Sequence, residues 1–449
     1  MRAGLLIVPL ILLVGCASGP PAGASPTPTV VTIAPAGSAD ATPLANRSPS
    51  PAAPSPTAVP ALPRSSSAAA TAAPKPAWRK TAPMPRERQG FDAVLLGDGT
   101  VLVVGNDRGP WVLDSESERV QGAAPASELV DLYDPSADAW TTAESLNKPR
   151  RLGAMAALPD GSAMILGGIN EDGEPFSSAK IYSPQTRGWT AGPLMTVARL
   201  DPRAVTLGDG RVLVVGATTL PGAATSEVYD PATGAWTGQT SLPGLNAAVL
   251  ALVPLGTSGA FALATYDEPD VTDGFPLVPY VFDSDSSRWT AVAPDGHGPT
   301  FWGTSFVGLA DGDVLAVGGG NCGDLCGGKA SHREVWRFDQ QRHRWREAAP
   351  LASPRENVSL ALLPDGRVLA AGGIRMRESD LDDGTPVKTT ELYDPAANTW
   401  SMGPALLEAS GGEWAVVGGG GVTAVVLADG DVLLLGGSLT TPERLTFGP

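Results

Sequence analysis

The sequence of 449 residues predicts an all-β fold built by repetition: a ring of seven four-stranded units behind an extended N-terminal tether. Three observations carry this. An Asp-Gly dipeptide recurs at Asp98, Asp160, Asp209, Asp311, Asp365 and Asp429, each time between two β-rich apolar runs. A glycine, usually doubled, stands seven residues after each of these Asp residues. An aromatic residue followed seven residues later by Trp recurs six times beyond residue 130.

Each element of the unit has its own justification. Strand A is the apolar run before Asp-Gly (Ala93-Val94-Leu95-Leu96 in the first copy) and strand B the run after it (Val101 to Val104). Asp-Gly between such runs is a hairpin signal, because Gly supplies the positive φ of a tight turn. Strand B ends at Gly105, Gly167-Gly168, Gly216, Gly318-Gly319, Gly372-Gly373 and Gly436-Gly437. Strand C ends in the aromatic residue, often followed by Asp-Pro as in Tyr133-Asp134-Pro135, and strand D carries Trp140, Trp189, Trp236, Trp289, Trp345 or Trp400. The fourth unit is the least regular, with Ser258-Gly259 for the turn and Ala264-Thr265 for the double glycine. The seventh has A near Val422–Leu427, B near Val432–Leu435 and C over Arg444–Phe447, and then the chain stops. An orphan D-like segment, Trp78 to Met84, lies at the other end, so six complete units and one split unit form a ring that leaves no open sheet edge.

The order and spacing of double glycine, aromatic and Trp resemble the kelch repeat, and the resemblance covers Trp78 to Pro449. A Trp-Asp repeat is excluded because that dipeptide does not occur. The resemblance implies a seven-bladed kelch-type β-propeller, one four-stranded sheet per blade around a central channel, with Trp and the double glycine packing adjacent blades together.

The residues before Trp78 are of a different kind. Met1-Arg2 precedes an apolar run from Leu5 to Val14, too short to span a bilayer and suited to a secretory signal. Leu13-Val14-Gly15-Cys16 resembles the bacterial lipoprotein lipobox, which implies cleavage before Cys16, lipidation of Cys16 and an extracytoplasmic protein anchored to a bacterial membrane through that lipid alone. The segment 17–77 contains 14 Pro and four charged residues, and reads as a disordered tether of polyproline II character. The expected organisation is therefore 1–15 signal peptide, 16–77 lipidated Cys and tether, and 78–449 propeller.

Composition narrows the chemistry. A net charge of −16 opposes binding to nucleic acid. With 3 His and 3 Cys, neither a disulfide scaffold nor a zinc site of several Cys and His residues can be built, and no metal or cofactor is expected. Once Cys16 carries lipid, Cys322 and Cys326 remain, and in an oxidising exterior they are expected to pin their own loop as a disulfide.

Antiparallel order puts the A–B and C–D turns on one face and the B–C and D–A loops on the other. The B–C loops vary most, and variable loops on a rigid scaffold are where binding resides. Ten residues before the turn Asp, four units carry Arg: Arg88, Arg150, Arg199 and Arg355. A feature repeated in register can belong to the blade, each guanidinium holding loop carbonyls; read as function, the four form a ring that attracts an anion. Trp302, in register beside Phe301, and Trp414 depart from the repeat and are candidates for stacking on a sugar ring. The leading expectation is a monomeric, non-catalytic binding or scaffolding module for a glycan or protein partner, an anionic one where the Arg ring is read as function. The alternative is a propeller enzyme acting on acidic sugars (an epimerase or mutarotase), with Glu356 as general acid/base. The resemblance also covers galactose oxidase, but the ligand set its copper site implies has no counterpart among His297, His332, His343 and these Cys and Tyr residues.

Overall fold

The computed structural model describes residues 75 to 447 apart from 87, 89–90, 106–110, 114–118, 122–127, 151, 218–223, 239, 244–248, 257–258, 266–276, 293–297, 300–302, 321–329, 378–383, 411–421, 437–438 and 440. Seven antiparallel sheets form the blades of a β-propeller, and two short two-stranded sheets lie outside them. In strand order A to D, blade 1 is Phe91–Leu95, Val101–Gly105, Val130–Asp134 and Ala139–Thr142. Blade 4, the least regular in sequence, is complete: Val249–Leu255, Gly259–Thr265, Leu277–Asp283 and Arg288–Ala291. Blade 7 takes Val422–Val426, Val432–Gly436 and Glu443–Thr446 from the end of the chain and Ala77–Lys80 from its beginning. The latch pairs Trp78 with Leu445 and Lys80 with Glu443. The predicted C strand of this blade is thus displaced by one residue.

The local turns explain the repeat. In the six Asp-Gly blades the A–B connection is a three-residue loop; in blade 1, Leu96 N–H donates to Thr100 O (2.8 Å) and Gly99 N–H to Leu96 O (3.0 Å). Gly99 has φ 85° and Asp98 Oδ1 accepts the Thr100 N–H at 3.0 Å, so the dipeptide needs Gly for its backbone and Asp for its carboxylate. In the C–D turn, Asp134 Oδ1 accepts the N–H groups of Ser136 and Ala137, and Asp138 takes φ 47°.

Among the described residues the core divides into seven clusters, each joining one blade to the next. One contains Leu102 and Val104 of blade 1 with Ile165 and Tyr182 of blade 2; another joins Leu433 and Leu435 of blade 7 to Val101 and Tyr133 of blade 1. The seventh seam closes the ring. B strands are buried on both faces, as Val101 to Val104 are, and therefore read as continuous apolar runs. Most of the repeat tryptophans reach back to the preceding blade: the indole N–H of Trp140 donates to Ala82 O (3.0 Å), that of Trp189 to Glu144 O (2.9 Å) and that of Trp400 to Ala349 O (2.7 Å).

Candidate functional site

The double glycine sets the geometry of the loop-bearing face. Gly167 and Gly168 take φ 59° and 86°, and a Cβ on Gly167 would lie 2.9 Å from Arg199 O of the next blade. Gly168 N–H then donates to that carbonyl at 3.0 Å, and Gly319 repeats the bond to Arg355 O at 3.0 Å. Only glycine permits both the left-handed backbone and this approach. The D–A segment is thereby held on the neighbouring blade, with its Arg in a fixed place.

The arginines expected to form an anion-attracting ring are buried, Arg88 at 4%, Arg150 at 2%, and Arg199 and Arg355 at 0% exposure. Each donates to the carbonyl at the end of its own B strand: Gly105 (2.7 Å), Gly167 (3.0 Å), Gly216 (2.8 Å) and Gly372 (3.2 Å). The second amino group meets strand C. Arg88 pairs with Asp131 (2.6 Å), Arg199 with Glu227 (2.8 Å) and Arg355 with Glu391 (2.8 Å). These guanidinium groups brace the base of the B–C loop, and their terminal nitrogens face internal acceptors. A ligand ring is not the arrangement in which they stand.

The bracing carboxylates are functional residues that sequence reasoning missed. They lie two residues before the aromatic of strand C, a repeat as regular as the Arg itself. Their other oxygens hold the preceding blade: Glu227 accepts Thr196 N–H (2.7 Å) and Glu391 accepts Ala352 N–H (2.8 Å). In blade 7, Glu443 accepts Leu407 N–H (2.9 Å) and Glu408 N–H (2.7 Å), while Ser410 occupies the Arg register through its bridge to Val387. Blade 2 departs from the rule. Lys180 stands where the carboxylate should be, and Arg150 makes do with Ser178 O (3.4 Å), Ser178 Oγ (3.1 Å) and the face of Phe176 (4.9 Å). Burial lowers the Arg150 guanidinium to a pKa of about 10.

Glu356 is placed differently from its neighbour Arg355. It forms a backbone bridge with Ile374, and its carboxylate lies in a recess walled by glycine. A Cβ on Gly320 would stand 2.7 Å from Glu356 Oε2, and one on Gly303 at 3.0 Å. Ser331 Oγ donates to Glu356 Oε1 at 3.4 Å. Burial raises the carboxyl to a pKa of about 7, the Ser331 hydrogen bond opposing. Arg355 is bonded to Glu391, so the two neighbours in sequence form no common charge pair. The result is a half-buried carboxyl on the loop face that can hold or release a proton near neutrality.

Cys16, Trp302, Trp414, Cys322 and Cys326 lie outside the described residues, as do the signal peptide and most of the tether. Among the described residues no three His, Cys, Asp or Glu side chains group as metal ligands. His332 pairs with Glu334 (3.1 Å), and His343 stacks on Phe338 in a C–D turn.

No family model matches the sequence. It is 28% identical over 325 residues to Kelch-like protein terF of Aspergillus terreus, covering 68% of this chain and 64% of that protein. It is 31% identical to Kelch-like protein 36 of Bos taurus over 113 residues, 25% of this chain, and thus spans only 16% of that relative's length. Galactose oxidase of Gibberella zeae matches at 27% identity over 22% of this chain and 15% of its own. Among solved structures, a fungal alcohol oxidase of the AA5 family in complex with copper superimposes with a TM-score of 0.58, at 16% identity, over 83% of this chain and 76% of that one. The chain is a seven-bladed propeller similar to kelch-repeat proteins, and the structural likeness concerns the fold alone.

Proposed function

We propose that this protein is an extracytoplasmic, lipid-tethered binding or scaffolding module that engages a glycan or protein partner through the face bearing its B–C and D–A loops. One observation carries the reading. The two described sheets that belong to no blade, Trp111–Leu113 with Arg119–Gln121 and Ile374–Arg375 with Thr385–Pro386, are both insertions between strands B and C. Blades do not need them, so the non-repeating structure is concentrated on one face. The partner is a neutral glycan or a protein surface, because the guanidinium groups that favoured an anion hold internal acceptors. The Cys16 anchor and the monomeric state are part of the proposal and rest on the sequence.

The test is binding of the full chain to a glycan array and to a surface-protein library, repeated after each hairpin is replaced by a short turn. Loss of a saturable ligand with unchanged melting temperature supports the reading; binding indifferent to both replacements overturns it. A second reading, catalysis on a sugar, is favoured by the Glu356 carboxyl near pKa 7. Mutarotation or epimerisation of a bound sugar that disappears in Glu356→Gln would replace the first reading with the second.

A further inference from the structure

The opposite face of the propeller holds a feature that the repeat itself interprets. In strand C, the residue preceding the partner of the repeat Trp is Leu132 in blade 1, Arg337 in blade 5 and Arg444 in blade 7. Arg337 pairs with Asp311 and with Asp313 (2.7 Å) of its own A–B turn, and donates to Pro395 O (3.3 Å) in the C–D turn of blade 6. Arg444 repeats this with Asp429, Asp431 (2.7 Å) and Pro135 O (3.0 Å) of blade 1. Each guanidinium thus fills the slot between two blades.

Between blades 1 and 2 the same walls stand around Leu132, which is shorter and uncharged. Asp98 and Thr100 occupy the places of Asp311 and Asp313, and Pro184 that of Pro395. The slot is a pocket of about 60 Å³, whose lining includes Asp98, Thr100, Leu132, Asp134, Tyr182 and Pro184, with the exposed Arg187 as its one cation against two carboxylates. That exceeds the roughly 10–15 Å³ that one water requires. Asp98 uses Oδ1 for its turn, as Asp311 and Asp429 do, and those two residues give Oδ2 to the arginine.

A second observation concerns the wall of the pocket. Tyr182 is fully buried, and its hydroxyl has no partner among the described protein groups. Tyr133 and Tyr393 hydroxyls donate to Asp138 (2.7 Å) and Asn398 (2.8 Å), five residues on. In blade 2 that position is Arg187, which offers no acceptor. A buried hydroxyl without a partner is costly, and a water or a ligand group can complete its bonding.

We propose that this pocket is a recognition site for a guanidinium group, supplied by an arginine side chain or by a small free guanidine, which docks as Arg337 and Arg444 do at their seams. A planar group with donors on several edges matches Asp98, the Pro184 carbonyl and the Tyr182 hydroxyl together. The net charge of −16 draws cations to the surface. The site lies on the turn face and is independent of the loop-face reading.

The test uses the full chain with methylguanidinium chloride and the blocked peptide acetyl-Gly-Arg-Gly-amide as probes, against methylammonium and sodium chloride at equal ionic strength. Tyrosine ring shifts are followed by NMR. Saturable binding is expected with the guanidinium probes. Asp98→Asn should weaken it about tenfold, the scale of one charge-assisted hydrogen bond. Thr100→Asp, which restores the second carboxylate of blades 5 and 7, should tighten it, and Leu132→Arg should abolish it by supplying the group in cis. If Leu132→Arg does not fold, the first two variants carry the test. Binding of both probes identifies a side chain that can reach the pocket, and binding of methylguanidinium alone identifies a small ligand. No saturation beyond the controls, or affinity indifferent to both Asp98→Asn and Thr100→Asp, overturns the proposal.

Discussion

Replacing Lys180 by Glu should stabilise the propeller, because blade 2 is the one described arginine brace without a carboxylate. In blades 1, 3 and 6 the corresponding acid contacts its Arg at 2.6 to 2.8 Å. In blade 2 burial depresses Arg150 to about 10, and both burial and the Arg150 charge lower Lys180. The substitution removes a repulsion and adds a charge-assisted bond, which contributes about 1.5–3 kcal/mol. A propeller of this length unfolds with an entropy of about 0.8 kcal/mol per kelvin at the usual per-residue value, so the melting temperature should rise by about 2–4 °C. The mirror change Glu227→Lys buries a cation beside Arg199 and should cost about 3–5 kcal/mol. Calorimetry at pH 7 reads both. The sign with pH is also fixed: a base whose folded pKa is depressed penalises folding below that pKa, and relief begins as pH rises above about 10. The advantage of Lys180→Glu should therefore be fully present at pH 7 and 8. An unchanged or lowered melting temperature would refute the reasoning.

Three further outcomes follow from the same geometry. Glu356→Gln should stabilise the fold at pH 8 and leave it unchanged near pH 4, because a carboxyl raised from 4.5 to about 7 loses stability as pH rises between those values; the ceiling is about 3 kcal/mol, read from denaturant midpoints at the two pH values. Trp78→Ala removes the packing and the indole bond to Pro404 O (2.9 Å) that fasten the latch, and should cost about 3–5 kcal/mol with proteolytic cleavage appearing first near residue 77. Gly318→Ala places a Cβ onto Arg355 O at φ 63°; backbone strain alone costs about 1–3 kcal/mol, and a melting temperature within 1 °C of the parent would contradict the assigned role of the double glycine.

The fold was legible because each blade solves the same local problems with the same residues. Asp-Gly closes a three-residue loop, Gly-Gly admits a neighbouring carbonyl, and Trp donates across a seam, and all three leave a fixed spacing. The irregular fourth blade shows the limit of such signals: its Ala264-Thr265 weakens the motif, yet apolar runs and two neighbours complete the sheet. The candidate site was legible only in part. Arg88, Arg150, Arg199 and Arg355 stood out by register, but spacing does not tell whether a guanidinium faces a ligand or a carbonyl seventeen residues on. Asp131, Glu227 and Glu391 carried an equally regular signal, which went unread because strand carboxylates look like surface.

By itself the sequence determined the all-β class, the number of blades, the split seventh blade and its N-terminal latch. These rest on local chemistry and on periodicity, which survive translation along a chain. Tertiary structure alone decided which charges are braces, why Glu356 titrates near neutrality, and why Leu132 leaves a pocket where Arg337 and Arg444 fill one. Those properties depend on desolvation and on partners brought from other blades, and neither is encoded in spacing within a single repeat.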